Sequence, residues 1–513
     1  MTKILDCTIR DGGYYNNWDF NSDLMNDYVH AINDLPIEYF EIGYRANAQK
    51  GYFGKYFYTP EHELQKISAI TNKKIAIMLN QKDTSIADLD KLLSPCKNLV
   101  QLVRIAFDPG KILEAITLAT AIKNMGFEVG FNMMYMSKWK SNETVFESLK
   151  LAEGVVDYVY MVDSYGGVFP NDIIETLKKL KQSINVPIGF HGHNNLELAL
   201  INTLTAIEHG VDIVDATFTG MGRGAGNLKT ELLLAVLNQQ KGLPVDFNRL
   251  GLIVDQFSNL QKEYGWGTNL PYMISGVNAL PQKDVMEWVT KRFYSFNSII
   301  RALQNKKNDQ LDNQQLEVLQ ANTSFEKAII IGGGPNAALH AESVQHYIIA
   351  QENCCLIHAS SKNAAAYNHL SVPAYFCLVG NEGHRLEAVF QQMNQFDGIC
   401  VLPPYPRKMG TYIPGAVKEN SFELPAVTFT KLVDDSHTVL ALQTAIQLGA
   451  KSIELVGYDG YQEGAITQLE KSLSDENEAI FSDFVAATGI NLIAITNTNY
   501  KGLKVESVYS KII

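Results

Sequence analysis

Positive charge is in short supply in this chain: 43 lysines and arginines stand against 55 aspartates and glutamates, a net charge of −12. With no basic stripe to neutralise phosphates, nucleic acid and anionic membrane surfaces are excluded as natural partners. Long hydrophobic runs are missing too. Although 46% of residues are hydrophobic, no run approaches the ~20 apolar residues needed to span a bilayer. The opening Met1-Thr-Lys-Ile-Leu-Asp6 holds no apolar segment of signal-peptide type, so a cytoplasmic protein is expected. Cysteine is scarce, with six in 513 residues, scattered apart from the neighbours Cys354 and Cys355 and never spaced Cys-x-x-Cys. That spacing argues against a structural zinc site and for reduced thiols. The chain is too long for one core, so two or three domains are expected.

What is present is a regular alternation of short apolar runs and amphipathic segments. Candidate strands are Lys3–Leu5, Tyr39–Gly43, Lys74–Leu79, Leu99–Ala106, Glu128–Met134, Val156–Val162, Pro187–His191 and Ile213–Thr217. Helical patterns such as Pro109–Asn124, Asn171–Ser183 and Asn195–His209 lie between them. Strands separated by helices pair in parallel through crossovers, and eight such units over residues 1–240 predict a (β/α)8 TIM barrel rather than an open doubly wound sheet. Over 241–322 the strand pattern gives way to a helical extension, with Leu250–Tyr264 and Lys283–Gln304 helical and Pro271–Gly276 joining them. The polar stretch Gln304–Gln315 reads as a linker or a solvated helix. A second α/β domain, 323–513, opens at Lys327-Ala-Ile-Ile-Ile331-Gly-Gly-Gly-Pro335 and continues with strand patterns at Cys355–His358, Ala374–Val379, Gly398–Leu402 and Ser452–Val456. It is expected to be a three-layer, Rossmann-like unit.

Barrels of this kind carry their chemistry at the carboxyl ends of the strands. Asp11 follows the first strand, Glu41 lies in the second, Asp163 follows the sixth, His191 and His193 end the seventh, and Asp215 closes the eighth. In an extended chain residues i and i+2 face the same side, so His191 and His193 can aim two imidazoles at one point. With Asp11 from a neighbouring strand they make a two-nitrogen, one-carboxylate set for Mn²⁺ or Mg²⁺, with Zn²⁺ also accommodated. Asn227, at the end of the glycine-rich run Gly220-Met-Gly222-Arg-Gly224-Ala-Gly226-Asn227, is a candidate amide-oxygen ligand. Arg10 beside Asp11 is a candidate stabiliser of a developing oxyanion. An acid inside an apolar strand is costly unless paired, so Glu41 either pairs with Arg10 or Arg45 or handles protons. Tyr14 is a candidate proton donor, Tyr15 a packing residue or the same, and Cys7 a small core residue. In the second domain Gly332, Gly333 and Gly334 form a candidate nucleotide-binding turn, although the Gly-x-Gly-x-x-Gly spacing is incomplete. Asp459 is placed in the same crevice.

The set Asp6-x-Thr8-x-Arg10-Asp11-Gly12, Glu41, His191-x-His193 and the loop ending in Asn227 resembles the DRE-TIM metallolyases (the HMG-CoA lyase-like barrels) over residues 1–240. The loop is most similar to that of the 4-hydroxy-2-oxovalerate aldolase branch, as is the helical extension. The resemblance implies that Asp11, His191 and His193 hold a divalent metal and that Arg10 polarises the substrate oxygen. It implies a lyase cleaving or forming a 4-hydroxy-2-oxo acid through a metal-bound pyruvate-type enolate, with a small 2-oxo acid and an aldehyde as its partners. Aldolases of that branch carry a histidine three residues after the metal aspartate, where this chain has Tyr14. A Claisen-type condensation of an acyl-CoA with a 2-oxo acid is the alternative within the superfamily. A non-haem Fe(II) oxygenase and a catalytically silent binding protein stand as alternatives of other classes. The start of the second domain faintly resembles nucleotide-sugar-handling, sialyltransferase-like domains, which would give the barrel a role in surface-sugar synthesis. Self-association into a homo-oligomer is left open.

Overall fold

Eight strands that bury almost every residue leave no free edge for solvent, and closing the sheet on itself is how a parallel set of that kind satisfies its outer hydrogen bonds. The computed structural model describes residues 2–290, 294, 296–310, 315–320, 324–391, 396–407, 411–433, 435–461 and 468–512. The chain divides into two compact units, Met1–Met286 and Glu287–Ile513.

In the first unit the strands are β1 (Lys3–Asp6), β2 (Tyr39–Tyr44), β3 (Lys74–Asn80), β4 (Leu102–Phe107), β5 (Glu128–Met133), β6 (Tyr158–Asp163), β7 (Ile188–Gly192) and β8 (Ile213–Ala216). They form a closed parallel barrel in chain order, and β1 closes it by pairing Leu5 with Asp215 of β8. The expected (β/α)8 barrel is therefore present, with strand limits within three residues of those read from the pattern.

The period of two sorts each strand. Ile4, Phe40, Ile42, Ile75, Ile77, Val103 and Ile105 belong to the large core between barrel and helices. Leu5, Tyr39, Ala76, Leu102, Tyr158 and Ile213 form a separate apolar cluster inside the barrel. Two residues further along their strands come Glu41, Arg104 and Asp215, all buried. Alternation places them on the inner face above the apolar layer. The barrel is thus apolar at its base and ionic just below the mouth.

The helices after the barrel include Phe247–Tyr264, capped by the Asp246 carboxylate, which accepts from the N–H groups of Asn248 and Arg249. The segment Pro271–Gly276, expected as a connection, lies inside a helix, Leu270–Val277. Its proline occupies the first turn, where a missing N–H costs nothing, and Asn269 caps the turn by accepting from Tyr272 N. This helix seats on the loop after β7, where Asn195 Nδ2 donates to Tyr272 O (2.9 Å), and Gln282, which opens the next helix, donates through Nε2 to Asn195 Oδ1 (2.6 Å). The polar stretch Gln304–Gln315 begins inside helix Phe296–Lys307, and its residues 311–314 lie outside the described residues.

The second unit is an eight-stranded parallel sheet, as expected of a Rossmann-like domain. Its strands are β9 (Lys327–Ile331), β10 (Cys354–His358), β11 (Ala374–Cys377), β12 (Ile399–Leu402), β13 (Ser421–Glu423), β14 (Ser452–Val456), β15 (Leu492–Ala494) and β16 (Lys504–Val505). The order β13-β12-β11-β10-β9-β14-β15-β16 reverses direction between β9 and β14. Among the described residues no helix is long and apolar enough to cross a membrane.

Candidate active site

Asp11 sits on a short helix, Thr8–Gly12, that turns off the end of β1. Asp6 fastens that turn: its carboxylate accepts from Thr8 N (3.0 Å), Thr8 Oγ1 (2.6 Å), Tyr28 OH (2.7 Å) and Thr230 Oγ1 (2.7 Å). Thr8 Oγ1 in turn accepts from Phe218 N (2.8 Å). The Asp6-x-Thr8 pair is therefore the joint between β1 and the loop after β8. It presents Arg10 and Asp11 to the barrel mouth.

The three expected ligands converge. Asp11, His191 and His193 each offer a ligand atom, and these atoms all lie within 4.8 Å of one another. His191 Nε2 stands 3.7 Å from Asp11 Oδ2. The Nδ1 atoms face away: that of His191 bonds Asp215 Oδ2 (2.9 Å) and that of His193 bonds the Asp163 carbonyl (2.8 Å). A carbonyl only accepts, so His193 Nδ1 carries the proton and Nε2 keeps its lone pair for a ligand. Burial, with the neighbouring His191, holds the His193 imidazolium down to about 4, which keeps this ring neutral near pH 7. Burial pushes the Asp11 carboxyl up, but Arg10 and the two histidines outweigh it and hold the group below its ordinary value. Two imidazole nitrogens and one carboxylate suit a borderline or hard divalent cation.

Asn227 supplies a test of that fit within the protein itself. Its Nδ2 donates to Asp11 Oδ2 (2.6 Å) and Met221 O (3.3 Å), while its buried Oδ1 has no partner. A buried amide oxygen without a donor costs about 1–3 kcal/mol, and a cation held by Asp11 would satisfy it. The loop is shaped to put it there. An antiparallel bridge joins His193 to Asn227, and Gly226 has φ of 76° with its Cα so close to Gly220 that a Cβ would lie 2.2 Å from the Gly220 carbonyl. Replacing Asn227 with alanine is expected to weaken Mn²⁺ binding by about 10–100-fold, read by isothermal titration. Unchanged affinity would mean the amide holds the loop and not the ion.

Below the ligands runs a chain of buried charges. Arg10 donates through Nε to Glu41 Oε2 (2.7 Å) and through Nη1 to Asp11 Oδ1 (2.6 Å). Glu41 Oε2 also accepts from Arg104 Nη1 (3.2 Å), and Arg104 Nη2 donates to Asp215 Oδ2 (2.5 Å), the oxygen that anchors His191. Arg104 Nε reaches Asn132 Oδ1 (2.9 Å) and its guanidinium lies 4.0 Å from the centre of the Tyr160 ring. Glu41 therefore pairs with Arg10, one of its two expected partners. Arg45 is occupied elsewhere, donating to the carbonyls of Leu92, Tyr58 and Thr59. Arg104 was missed in the sequence, where it is one charge in an apolar strand; an uncompensated cation in such a strand was the available signal.

Tyr14 OH lies 3.2 Å from Tyr44 OH, and the Arg223 guanidinium covers the Tyr14 ring at 4.0 Å. Tyr15 donates to Gly224 O (3.3 Å), which ties it to the glycine-rich loop. Cys7 is buried, its thiol 3.7 Å from Ala216 O. Asp163 is buried with its carboxyl pushed up to about 6 by burial, against the amides of Gly167 and Val168 that it accepts from.

In the second unit the candidate turn Gly332–Gly334 lies at the β9/β14 reversal, opposite Asp459. Gly332 N donates to Val456 O (2.8 Å), Gly334 N to Gly457 O (2.9 Å) and Asn336 N to Asp459 Oδ2 (2.9 Å). Asn363 Nδ2 holds the Gly332 and Gly334 carbonyls (3.0 Å each). These bonds clasp the two strand ends together and engage amides that a bound phosphate would otherwise use.

Comparison with known proteins agrees with this barrel. A family model described as HMGL-like matches residues 1–255. The chain is 35% identical over 242 residues to a 4-hydroxy-2-oxovalerate aldolase of Geobacillus thermodenitrificans, spanning 46% of this chain and 69% of the relative. It is 33% identical over 242 residues to one from Pelotomaculum thermopropionicum, spanning 46% and 70%. The chain belongs to the HMGL-like family. A crystal structure of the N-terminal domain of a Bacteroides vulgatus protein described as an aldolase shares 57% identity and a TM-score of 0.56, covering 58% of this chain and 99% of that one. Membership of the HMGL-like family accounts for residues 1–255 and leaves most of the helical extension and the whole second sheet outside the matched segment.

Proposed function

We propose that the barrel is a divalent-metal-dependent aldolase that cleaves or forms a 4-hydroxy-2-oxo acid. The observation that carries this is the convergence of Asp11, His191 and His193, each with its outer atom fixed by Arg10, Asp215 or the Asp163 carbonyl. A bound divalent ion would supply a Lewis acid for the carboxylate and 2-oxo oxygens of the substrate. The chain supplies the rest. In cleavage the C4 hydroxyl loses its proton and the C3–C4 bond breaks. Its electron pair passes onto C3 and the 2-oxo oxygen as an enolate, and the C4 fragment leaves as an aldehyde. Protonation of C3 then gives pyruvate.

Arg10 is set beside the oxygen that gains charge. Its Nε and Nη1 are committed to Glu41 and Asp11, and Nη2 bonds nothing among the described residues, so it is the donor left for the oxyanion. Glu41 and Asp11 lock the guanidinium plane, which makes Glu41 a positioning residue. Tyr14, three residues after Asp11, is the candidate acid–base group, and Tyr44 OH gives its proton a neighbour to move to.

The test is pyruvate release from 4-hydroxy-2-oxopentanoate by the full chain, followed with lactate dehydrogenase and NADH. Turnover is expected to vanish with EDTA and return with Mn²⁺ or Mg²⁺. Turnover indifferent to chelation would reject the reading, and oxygen uptake dependent on Fe(II) would replace it.

A further inference from the structure

Arg223 is a guanidinium near the ligand cluster that the proposed chemistry leaves unused. It projects from the glycine-rich loop, half-buried, four residues before Asn227. Its guanidinium lies 4.0 Å from the centre of the Tyr14 ring, whose hydroxyl is 3.2 Å from that of Tyr44, and its charge is felt by Asp11 and His193 of the ligand cluster. Among the described residues no carboxylate pairs with it. The buried carboxylates around the ligand cluster are engaged elsewhere: Asp11 with Arg10 and Asn227, Glu41 with Arg10 and Arg104, Asp215 with Arg104 and His191, and Asp163 with the amides of Gly167 and Val168.

A partly desolvated cation without a carboxylate partner is costly. The stack on Tyr14, at 4.0 Å from the ring centre, attracts the face of the guanidinium. Apart from its contact with Tyr14, the guanidinium edge meets no carboxylate among the described residues and can present a donor fork to a planar anion. The loop is built to hold that edge in place. Gly224 has φ of 64°, and a Cβ there would lie 2.6 Å from Gln282 Oε1 and 2.7 Å from the Tyr272 ring, so the backbone following Arg223 is pressed against the helical extension. Tyr15 OH and Gly267 N both donate to the Gly224 carbonyl (3.3 Å each).

We propose that Arg223 binds a carboxylate at the end of the substrate remote from the 2-oxo group, so that the natural 2-oxo acid is a dicarboxylate and the aldehyde fragment is itself an acid. This rests on the aldolase reading: the 2-oxo acid end is held by the Asp11–His191–His193 cluster, and Arg223 meets what extends from it. The planar fork can meet the two oxygens of such a carboxylate bidentately.

The experiment uses the full chain with Mg²⁺ and isothermal titration with two chain-matched pairs of 2-oxo acids. These are 2-oxopentanoate against 2-oxoglutarate, and 2-oxohexanoate against 2-oxoadipate. In the wild type the diacid is expected to bind at least about tenfold more tightly in one pair. Arg223→Gln is expected to bring that ratio close to one and Arg223→Lys to leave it between. Binding of the monoacid by each variant shows that the site is still formed. Equal affinities within both wild-type pairs would overturn the assignment, as would a ratio untouched by Arg223→Gln. Exchange of the pyruvate methyl protons in D₂O, measured on the same preparation, judges the aldolase reading separately. Its absence rejects that reading, whereas exchange without diacid preference rejects Arg223 alone.

Discussion

Replacing His191 with alanine is expected to abolish metal-dependent exchange of pyruvate methyl protons in D₂O, lowering the rate by about 10³-fold or more. The magnitude follows from what the residue holds. A cation polarising a carbonyl is worth several kcal/mol, and each 1.36 kcal/mol is about tenfold in rate. His191 contributes one of two nitrogens in the cluster, and its other nitrogen is gripped by Asp215. Asp215→Asn should therefore give a graded result. The amide can still accept from Nδ1, but it removes the negative charge that strengthens the ring as a ligand, so Mn²⁺ affinity should fall by about 10–100-fold. The expected order is wild type, then Asp215→Asn, then His191→Ala, in both Mn²⁺ affinity and exchange rate. Full exchange by His191→Ala would remove the cluster from the mechanism.

That His191 and His193 could be chosen from the sequence is a consequence of geometry. A strand alternates its side chains, so two histidines at i and i+2 on a run ending in a loop already share a direction, and Asp11 after β1 is brought close by barrel closure. The barrel itself was legible because each strand carries its apolar pattern locally. The shortest strands of the second sheet, Ser421–Glu423, Leu492–Ala494 and Lys504–Val505, were not. Two or three residues are too few to establish a period, and their pairing is decided by the neighbour already in place. The ionic layer was hidden for another reason. Glu41 meets Arg104 across 63 positions of sequence and Arg104 meets Asp215 across 111, so no local window contains the pair. Glu41 announced that it needed a partner, but only the closed barrel shows which.

That ionic layer leads to the second large effect, on stability. Arg104→Met is expected to destabilise the barrel by about 3–5 kcal/mol at pH 7, the range for removing one partner of a buried ion pair, and so to lower its melting temperature by about 10 °C. Arg104 is fully buried, and without it Glu41 keeps Arg10 whereas Asp215 keeps only His191. The pH dependence has a definite sign. In the native barrel burial pushes the Asp215 carboxyl up, but Arg104 and His191 outweigh it and hold the group below its ordinary value. A carboxyl held down adds stability above its unfolded value and loses it as pH falls through its native one. Remove Arg104 and burial dominates, so the native state of the variant takes up a proton that the unfolded chain does not. The variant then gains on the wild type as pH falls from 7 towards 5, and the gap in melting temperature should narrow. Arg104→Lys restores a charge but not the fork that reaches Asn132, Glu41 and Asp215 together, so it should recover only part of the loss. A gap that stays constant with pH would mean that Arg104 acts by filling space over Tyr160 and not by balancing charge.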